Sequence, residues 1–518
     1  MKQSVIISSL AGLVLLGSCN LTLDLYPLTD FNEGNIGHVD QTTESQYNTR
    51  EDMLGMLKAM YSKNDACLAS GWLQEEIILD GLIYSECRAD NAYAGNPNSA
   101  EIIALEGNRQ DGETWTVVRD WQYVQEMVAI PNQIIFNIDR VFEADSTWTD
   151  AAERDNWKAQ ALSWRAYLLM WMSNLWGDIP VNNSLPPAIT SENIEEVYWE
   201  YYPERMPKED VYKLLVDDLS FATEHCPDVD PSNKMLFTKA FAHGMLARIY
   251  AEKPLRDWDK VIEHCEAVEG MGFSLCPDYG TMWAYDNLDA VRHTQESIFE
   301  VAYTRADGHW LWMMFHRNAW DPNSSYSWLK WCTPSRNLIN SYEPGDKRKD
   351  VSIIFDQTGD SPETGWSNYY PADSYAFMHK VPTSASSIIL MRLGEIYTLH
   401  AEALCMKGDF ENSTKYLNKT RNRAGLSNLK QPTTQEAMLD AVLTERRFEL
   451  AFEGFRYWDL VRHDKIIDVF NNVKATEGDT GNYKGWEDRV PLTEETILMP
   501  IPTIAIDNNP SLTQNPGY

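Results

Sequence analysis

Apolar residues recur at helical spacing over long stretches of this chain. Between Trp157 and Leu175 they stand three or four residues apart, which places them on one face of a helix. Gly177 and Pro180 follow, in an order that ends a helix. We therefore predict a helix whose aromatic residues belong mostly to the core. Its apolar face consists of Trp157, Ala161, Trp164, Leu168, Trp171 and Leu175.

Two pairs of helical segments, each joined by a short turn, follow the same pattern. Each pair has a small alanine in its first segment and an aromatic residue at the start of its second. Small residues let paired helices approach closely, so the arrangement resembles the tetratricopeptide hairpin. We predict a mainly all-α fold with such hairpins forming a superhelical scaffold. The pairs are 239–252 with 257–268, and 389–403 with 410–423.

The stretch from Phe273 to Ser387 has a different character. It is rich in Pro, Gly, Ser, Asn and Asp, and five tryptophans fall between Trp310 and Trp331. Turn-forming residues around large aromatics indicate irregular structure that reaches the surface. We therefore expect the ligand-binding half of the molecule to be loop-rich and to lie here.

The chain opens with Lys2 and an apolar run from Val5 to Leu16. As a helix this run would span about 18 Å, short of the ~30 Å hydrocarbon core, so we interpret residues 1–18 as a signal peptide. The run ends Leu16-Gly17-Ser18-Cys19, which resembles a bacterial lipobox and predicts Cys19 as the lipidation site. The alternative is an ordinary secretory signal. Residues 19–50, with few aliphatics, are predicted to form a lipid-anchored tether.

The charge balance excludes one large class of partners. There are 44 Lys and Arg against 77 Asp and Glu, a formal charge of −33, and such a field repels nucleic acid.

The seven cysteines after Cys19 lack CxxC spacing, so we expect buried thiols, with a Cys265–Cys276 disulfide left open. Signatures of nucleotide, metalloprotease and serine hydrolase sites are missing from the sequence, and we predict no cofactor and no metal.

Five segments are spread over essentially the whole mature chain, and the third reads NKTRNRAGL. They are Trp164–Tyr167 with Trp176–Pro180, Met391–Ala403, Asn418–Leu426, Glu445–Leu460 and Met499–Tyr518. Together these segments resemble the SusD/RagB family of outer-membrane nutrient-binding lipoproteins.

The resemblance implies a lipoprotein at the cell exterior that passes captured oligosaccharide to a SusC-like TonB-dependent transporter. Among the five residues that follow Cys19, Asp24 is the single acidic one. The surface-export signal of such bacteria usually contains more acidic residues. Outward display is therefore a weaker expectation than lipidation. The implied regions are an N-terminal region with helical hairpins at 51–272, the aromatic-rich insert at 273–387 and a C-terminal region with the last hairpin at 388–518.

Charged residues of the Glu445–Leu460 segment stand three or four positions apart, as ion pairs on a helix do. Phenylalanines interleave them, so we favour a structural role over an acid and base pair of the glycosidase kind. The prolines near the C-terminus predict an extended strap. The expected charge contacts are Glu445 with Glu449, Arg446 with Glu449, Glu453 with Arg456, and Asp459 with Arg462; the prolines are Pro500, Pro502, Pro510 and Pro516.

A sugar ring offers an apolar face of C–H groups and a fringe of hydroxyls, so flat aromatic side chains beside polar groups suit it. The insert supplies such rings, although Trp is more often buried, and Trp310 and Trp312 alternate as in a half-buried strand. The candidate contacts are Trp283, Trp310, Trp320, Tyr326, Trp328 and Trp331, with Trp320 and Trp328 favoured.

A second candidate is the polar loop from Glu86 to Asn98, which follows a predicted helix. It combines hydrogen-bonding groups with an aromatic ring, and the equal alternative is a loop that satisfies its own backbone. Its candidate ligand residues are Arg88, Asp90, Asn91, Tyr93 and Asn96.

These observations predict a non-catalytic glycan-binding lipoprotein. Two alternatives remain open. One is a peptide receptor, as in the RagB branch of the family, and the other is a glycosidase that uses a carboxylate pair.

Overall fold

The computed structural model describes residues 47–95, 99–187, 193–285, 290–315, 331–356, 370–371, 373–473, 486 and 489–518. The predicted signal peptide, Cys19 and nearly all of the predicted tether lie outside the described residues. Within the described ranges, no helix combines the length and the apolar character needed to cross a membrane.

Helices begin where Thr or Asp can cap them. Asp150, for example, accepts hydrogen bonds from the backbone N–H groups of Ala152 and Glu153, and Thr49 forms a capping box with Asp52. The predicted helix from Trp157 to Leu175 is confirmed, and it extends over Ala151–Trp176.

The N-terminal half is mostly helical. It includes two π-helical segments in the same stretch of chain, a rare geometry that is frequent at functional sites. Its helices are α1 (Arg50–Met60), π1 (Leu73–Asp80), π2 (Ile83–Cys87), α2 (Ala100–Glu106), α3 (Trp115–Ala144), α4 (Ala151–Trp176), α5 (Ile194–Val197), α6 (Lys208–His225), α7 (Lys239–Ala251) and α8 (Trp258–Glu269); its strands are β1 (Ala92–Tyr93), β2 (Ile179–Pro180) and β3 (Arg205–Met206).

The second half mixes short strands with helices. Antiparallel pairing joins β1 with β5, β2 with β3, β4 with β8, and β6 with β7. The elements are β4 (Ser297–Val301), α9 (Trp312–Phe315), β5 (Thr333–Pro334), α10 (Arg336–Ser341), α11 (Lys347–Ser352), β6 (Ile353–Asp356), β7 (Tyr375–Met378), β8 (Ile388–Arg392), α12 (Leu393–Met406), α13 (Phe410–Arg423), α14 (Gln435–Glu449), α15 (Arg456–Arg462), α16 (Ile466–Asn472) and α17 (Thr503–Asn508).

Both predicted hairpins are present. Helix α7 packs on α8, and α12 packs on α13 and on α8, so successive helix pairs form a tetratricopeptide-like stack. The predicted start of the second pair is wrong, because residues 388–392 form strand β8 and the helix begins at Leu393. The sequence Ile-Ile-Leu-Met-Arg suits a buried strand, and its partner β4 supplies the backbone hydrogen bonds.

The insert at 273–387 is less irregular than predicted, since it contributes strands β4 to β7 and helices α9 to α11 to the body. The predicted strand-like alternation of Trp310 and Trp312 is wrong. Trp312 opens the short helix α9 and is buried, whereas Trp310 precedes the helix and is half-buried.

The charged residues of the Glu445–Leu460 segment are buried or half-buried, but most of the predicted local pairs are replaced by partners elsewhere in the chain. Arg446 binds Asp459, with its Nη2 atom 2.8 Å from Oδ1. Glu453 binds Lys380 and Arg392, because the helix ends at Glu449 and a turn redirects the chain. Among the predicted ion pairs, Asp459 with Arg462 is present, at 2.6 Å.

A closely packed ion network joins α11, α14 and the β8–α12 junction. Arg392 donates to Glu449 at 2.6 Å and to Glu296 at 2.9 Å, and Arg348 contacts Glu449 at 3.2 Å. A Cβ atom on Gly394 would lie 2.5 Å from Oε1 of Glu449, so only glycine fits beside this network. The charged motif of the sequence is therefore a structural core.

The C-terminal strap is confirmed in part. The backbone N–H of Met499 donates to the carbonyl of Leu175 at 2.7 Å, and the Trp176 indole donates to the carbonyl of Pro500 at 3.1 Å. The strap is not extended throughout, because Pro502 precedes the helix α17, where a proline is tolerated. These bonds fix the end of the chain onto α4.

All seven cysteines after Cys19 are buried free thiols. The disulfide that the spacing of Cys265 and Cys276 left open does not form in this structure.

Candidate functional site

Helix α3 carries three side chains at successive four-residue steps, which places them on one face. They are Trp115, Arg119 and Tyr123, and the rise of about 1.5 Å per residue separates the first and last by about 12 Å along the helix. Trp115 is 53% exposed, a large fraction for an indole. The face therefore has an aromatic ring at each end and a cation between them.

The segment π1 and the residues before it run beside this face. The ring of Trp72 stacks on Tyr123 with centroids 4.1 Å apart and planes 9° apart. Trp310 adjoins the same end, since a Cβ atom on Gly71 would lie 4.0 Å from its Nε1 atom. Trp72, Tyr123 and Trp310 are all half-buried. We call Trp72, Trp115, Tyr123 and Trp310 the aromatic strip.

Four carboxylates surround the guanidinium in the middle of the aromatic strip. Arg119 lies 4.2 Å from the centroid of the Trp115 ring and binds Glu75 at 2.6 Å. It also contacts three buried acids. These are Glu76 at 3.2 Å, Asp120 at 2.9 Å and Asp80.

This imbalance of charge changes the acidity of the buried carboxyls. Burial, together with the negative charge of Asp120, raises the pKa of Glu76 to about 9. Burial also raises the pKa of Asp120 to about 7, although Arg119 and a 2.8 Å hydrogen bond from the Tyr84 hydroxyl oppose the rise. Glu76 therefore holds a proton at neutral pH, and the half-buried Glu75 is the carboxylate nearest to solvent.

The four described candidates of the Glu86–Asn98 loop lie in the interior. Arg88 donates to the carbonyl of Thr496 and covers the ring of Tyr457. Tyr93 is buried, and its hydroxyl accepts from the backbone N–H of Arg336. Their burial argues against direct contact with a ligand.

Asp90 and Asn91 are bound by arginines of the C-terminal region. Arg456 donates to both Asp90 carboxylate oxygens, at 2.8 and 3.0 Å, and Arg447 donates to the Asn91 amide oxygen at 2.7 Å. Burial alone would raise the pKa of Asp90, but Arg447 and Arg456 outweigh it and hold the pKa well below its ordinary value. These residues tie the loop to α14 and α15, a structural role.

The described aromatic candidates of the insert lie at three different positions in the structure. Trp310 belongs to the aromatic strip. Trp283 is buried beneath Lys380, whose Nζ atom lies 4.5 Å from the centroid of the indole. Trp331 is half-buried near the end of π2, where its carbonyl accepts from the Cys87 thiol. Asn96, Trp320, Tyr326 and Trp328 lie outside the described residues.

Three members of the aromatic strip, Trp72, Trp115 and Tyr123, were missed at the sequence level. The four-residue spacing of Trp115, Arg119 and Tyr123 was a usable signal, because an aromatic–cation–aromatic face is unusual on a helix that packs into a core. The contact between Trp72 and Tyr123 joins two helices, and local spacing does not reveal it.

Two family models match the chain. The model described as the SusD family matches residues 278–518, and the model described as starch-binding associating with outer membrane matches residues 43–251. The chain belongs to the SusD family. The predicted family resemblance is thereby confirmed, and the helical stack described above is the fold of that family.

SusD-like proteins of Formosa agariphila match over nearly the whole chain, and a starch-binding relative matches over about a third of it. SusD-like protein P2 of Formosa agariphila is 23% identical over 540 residues, covering 96% of this chain and 98% of that protein. The starch-binding protein SusD of Bacteroides thetaiotaomicron is 28% identical over 191 residues, covering 37% of this chain and 32% of that protein.

Solved structures share the fold of this SusD-family chain. A laminarin-binding SusD-like protein superposes with a TM-score of 0.69 at 19% identity, covering 91% of this chain and all of that chain. Surface glycan-binding protein A from Bacteroides uniformis gives a TM-score of 0.70 at 20% identity, covering 90% and 99%.

Two carboxylates of the Glu445–Leu460 segment, for which an acid and base pair is the alternative role, do not face solvent. Glu445 and Glu449 are buried and both bind Arg348, at 2.5 and 3.2 Å. A general base needs access to water, which these buried carboxylates lack, and the neighbouring arginines hold the pKa of Glu449 below its ordinary value, which disfavours it as a proton donor. Among the described residues, no group of His, Cys, Asp or Glu is arranged to hold a metal ion.

Proposed function

We propose that this protein captures glycan chains at the outer membrane and releases them to a SusC-like TonB-dependent transporter, without cleaving them. The observation that carries the proposal is the aromatic strip, an exposed indole and three half-buried rings along one edge. The names of relatives support it, since they describe starch-binding, laminarin-binding and surface glycan-binding proteins.

The physical argument begins with the shape of a sugar. Its C–H face stacks on an indole or phenol ring, and its hydroxyls need fixed hydrogen-bonding partners at the ring edge. Trp115 offers the exposed ring, and the Glu75 carboxylate is an acceptor held in place by Arg119. A strip of about 12 Å holds more than one ring of a chain, so it suits a polymer better than a free monosaccharide.

Capture followed by uptake requires release. Dissociation constants in the micromolar to millimolar range, about −8 to −4 kcal/mol, satisfy this requirement. Trp320, Tyr326, Trp328 and Trp331 remain proposed contacts of the same ligand, because they follow Trp310 of the aromatic strip closely in the sequence.

Affinity electrophoresis in gels containing starch, laminarin or other neutral polysaccharides tests the site. Trp115→Ala combined with Trp310→Ala should weaken binding of the preferred polysaccharide about thirtyfold, because each of the two lost stacking contacts contributes about 1 kcal/mol and about 1.4 kcal/mol is a factor of ten. The melting temperature should change little, since neither ring is fully buried.

The matched control is Trp199→Ala, because Trp199 is 59% exposed and lies outside the strip. Retardation should be unchanged in this variant. Equal retardation of the strip variant and the control would contradict the site, and a thermal shift with oligopeptides but not with glycans would favour the peptide-receptor alternative.

The anchor and the partner are tested separately. Cys19→Ala should move the protein from the membrane fraction to the soluble fraction, and protease added to intact cells should digest the lipidated form. Purification of the lipidated protein from its own membranes should recover a TonB-dependent barrel. Recovery of the Cys19→Ala protein in the membrane fraction would contradict the lipid anchor.

A further inference from the structure

A cleft of about 150 Å³ lies between the helical stack and the second half of the molecule. Apolar side chains from several elements converge on it, and six of them keep part of their surface exposed. They come from π1, α4, β8, the turn after α14, and α15. The half-buried apolar walls are Ile78, Met170, Trp171, Ile389, Phe455 and Trp458.

The charges around this cleft are balanced, in contrast to the net charge of the whole chain. Its lining contains four acidic and four basic side chains, and each acid binds one of the bases. Glu395 binds Arg248 at 2.6 Å, and Glu252 binds Arg462 at 3.0 Å. A ligand inside therefore meets no unpaired charge, and an ionised ligand would lose its hydration without gaining a counter-ion.

One fixed polar group faces the apolar walls. The amide oxygen of Asn174 accepts from the Tyr212 hydroxyl at 2.8 Å and from Lys208 Nζ at 3.1 Å, which fixes the orientation of the amide. Within the described part of the chain its Nδ2 group has no hydrogen-bond acceptor, and the residue is half-buried at the cleft. The cleft thus has flat walls and an oriented donor.

Gly81 has no packing reason to be a glycine. It connects π1 and π2 with a helical φ of −54°, where glycine costs roughly 0.5 to 1 kcal/mol relative to alanine. A Cβ atom there would meet nothing closer than Nε1 of Trp171, at 3.8 Å, an ordinary contact distance. What the missing side chain does provide is open volume in the cleft, which Gly81 lines.

We propose that this cleft is a second ligand site, kept open by Gly81, that takes a single neutral sugar ring between Trp171 and Trp458. Its volume matches one six-membered ring, because an apolar cavity of about 150 Å³ in another protein binds benzene. The site uses other residues of the π-helical segment than the aromatic strip does. It therefore stands whether or not the strip binds polymer.

Fluorine NMR of protein labelled with 5-fluorotryptophan tests the site directly. Trp171→Phe and Trp458→Phe assign the two signals, and the probes are glucose, galactose, mannose and N-acetylglucosamine at millimolar concentration. At least one neutral sugar should shift both signals. Glucosamine and glucuronate, which carry opposite charges, should bind at least tenfold more weakly than that sugar.

Substitutions at Gly81 then test whether the sugar that shifts the fluorine signals binds in the cleft. Gly81→Leu should abolish the shifts by filling the cleft, and Gly81→Ala, which the structure accommodates, should weaken binding severalfold without lowering the melting temperature. The matched control is Gly55→Ala, at a helical glycine with open space around it. It should leave the sugar-induced shifts unchanged.

Three results would overturn the proposal. They are the absence of any shift with the four neutral sugars, shifts of the same size in Gly81→Ala and in the unchanged protein, and equal binding of the charged sugars. The strip variant Trp115→Ala with Trp310→Ala should keep these shifts. Their loss in that variant would also count against a separate site.

Discussion

Around Arg392 and Glu449 acids and bases alternate, whereas around Arg119 four carboxylates share one guanidinium. Both clusters are buried. In the first, burial alone would raise the pKa of Glu449, but Arg423, Arg392 and Arg348 outweigh it and hold the pKa below its ordinary value. In the second, burial and neighbouring acids raise the pKa of Glu76 to about 9.

The difference separates a structural cluster from one that borders a binding surface. A balanced network offers an ionised ligand no unpaired charge to bind, and removing any of its members leaves a partner's charge unpaired. The acid-rich cluster lies directly beneath the exposed ring of Trp115. Its excess of carboxylates raises pKa values, as is common at functional sites. Burial alone therefore does not distinguish these two clusters, but their charge balance does.

The largest expected effect comes from the balanced network. Glu449→Gln keeps the shape of the side chain but removes the charge that serves three arginines, so it should lower the free energy of unfolding by about 3 to 5 kcal/mol. Urea denaturation measures this value. A loss below about 1 kcal/mol would show that the network is not a structural core.

A smaller effect of opposite sign is expected at the acid-rich cluster. The folded pKa of Glu76, about 9, exceeds its unfolded value of 4.5, so the unfolded chain releases this proton first as pH rises. The contribution of Glu76 to stability is therefore present at low pH and is lost between about pH 4.5 and pH 9.

Glu76→Gln, which cannot ionise, should remove this loss. Relative to the unchanged protein, the variant should gain about 1 to 4 kcal/mol in unfolding free energy between pH 5.5 and pH 8.5, since the linkage amounts to at most about 1.4 kcal/mol per pH unit between the unfolded and folded pKa values. Denaturation curves at the two pH values provide the measurement. Parallel pH profiles for both proteins would contradict the assignment.

The smallest effect belongs to an ion pair outside both clusters. Lys415 lies 2.8 Å from Glu411 on the surface of α13, and both side chains are mostly exposed. Lys415→Ala should change the unfolding free energy by no more than about 0.5 kcal/mol, since water and salt screen the pair. If Lys415→Ala lowered the unfolding free energy as much as Glu449→Gln, the exposed ion pair would be as important as the buried network, and the comparison would fail.

Local periodicity predicted the helices and the hairpins well, because a helix repeats its contacts every three or four residues. It failed at Ile389, where a distant strand, β4, overrides the local pattern. It also failed for the partners of Arg446 and Glu453, because buried charges pair with whichever opposite charge the fold brings near, at any separation in the chain.

The candidate site was harder to predict than the fold. Asp90 and Asn91 have the composition of a ligand loop, yet Arg456 and Arg447, more than 350 residues away, occupy them. The tryptophan-rich composition of the insert predicted Trp310 as a candidate. Trp72 is recognised as part of the same strip only from its contact with Tyr123 in the structure. Solvent exposure and contacts between helices decide which residues can bind a ligand, and the local sequence predicts neither.

The most direct measurement is a crystal structure of the protein with the oligosaccharide that binds most tightly in a glycan array. The account predicts a sugar ring stacked on the indole of Trp115 or Trp310, with a hydroxyl donating to the Glu75 carboxylate. An oligosaccharide bound elsewhere, with both indoles free of contact, would contradict it.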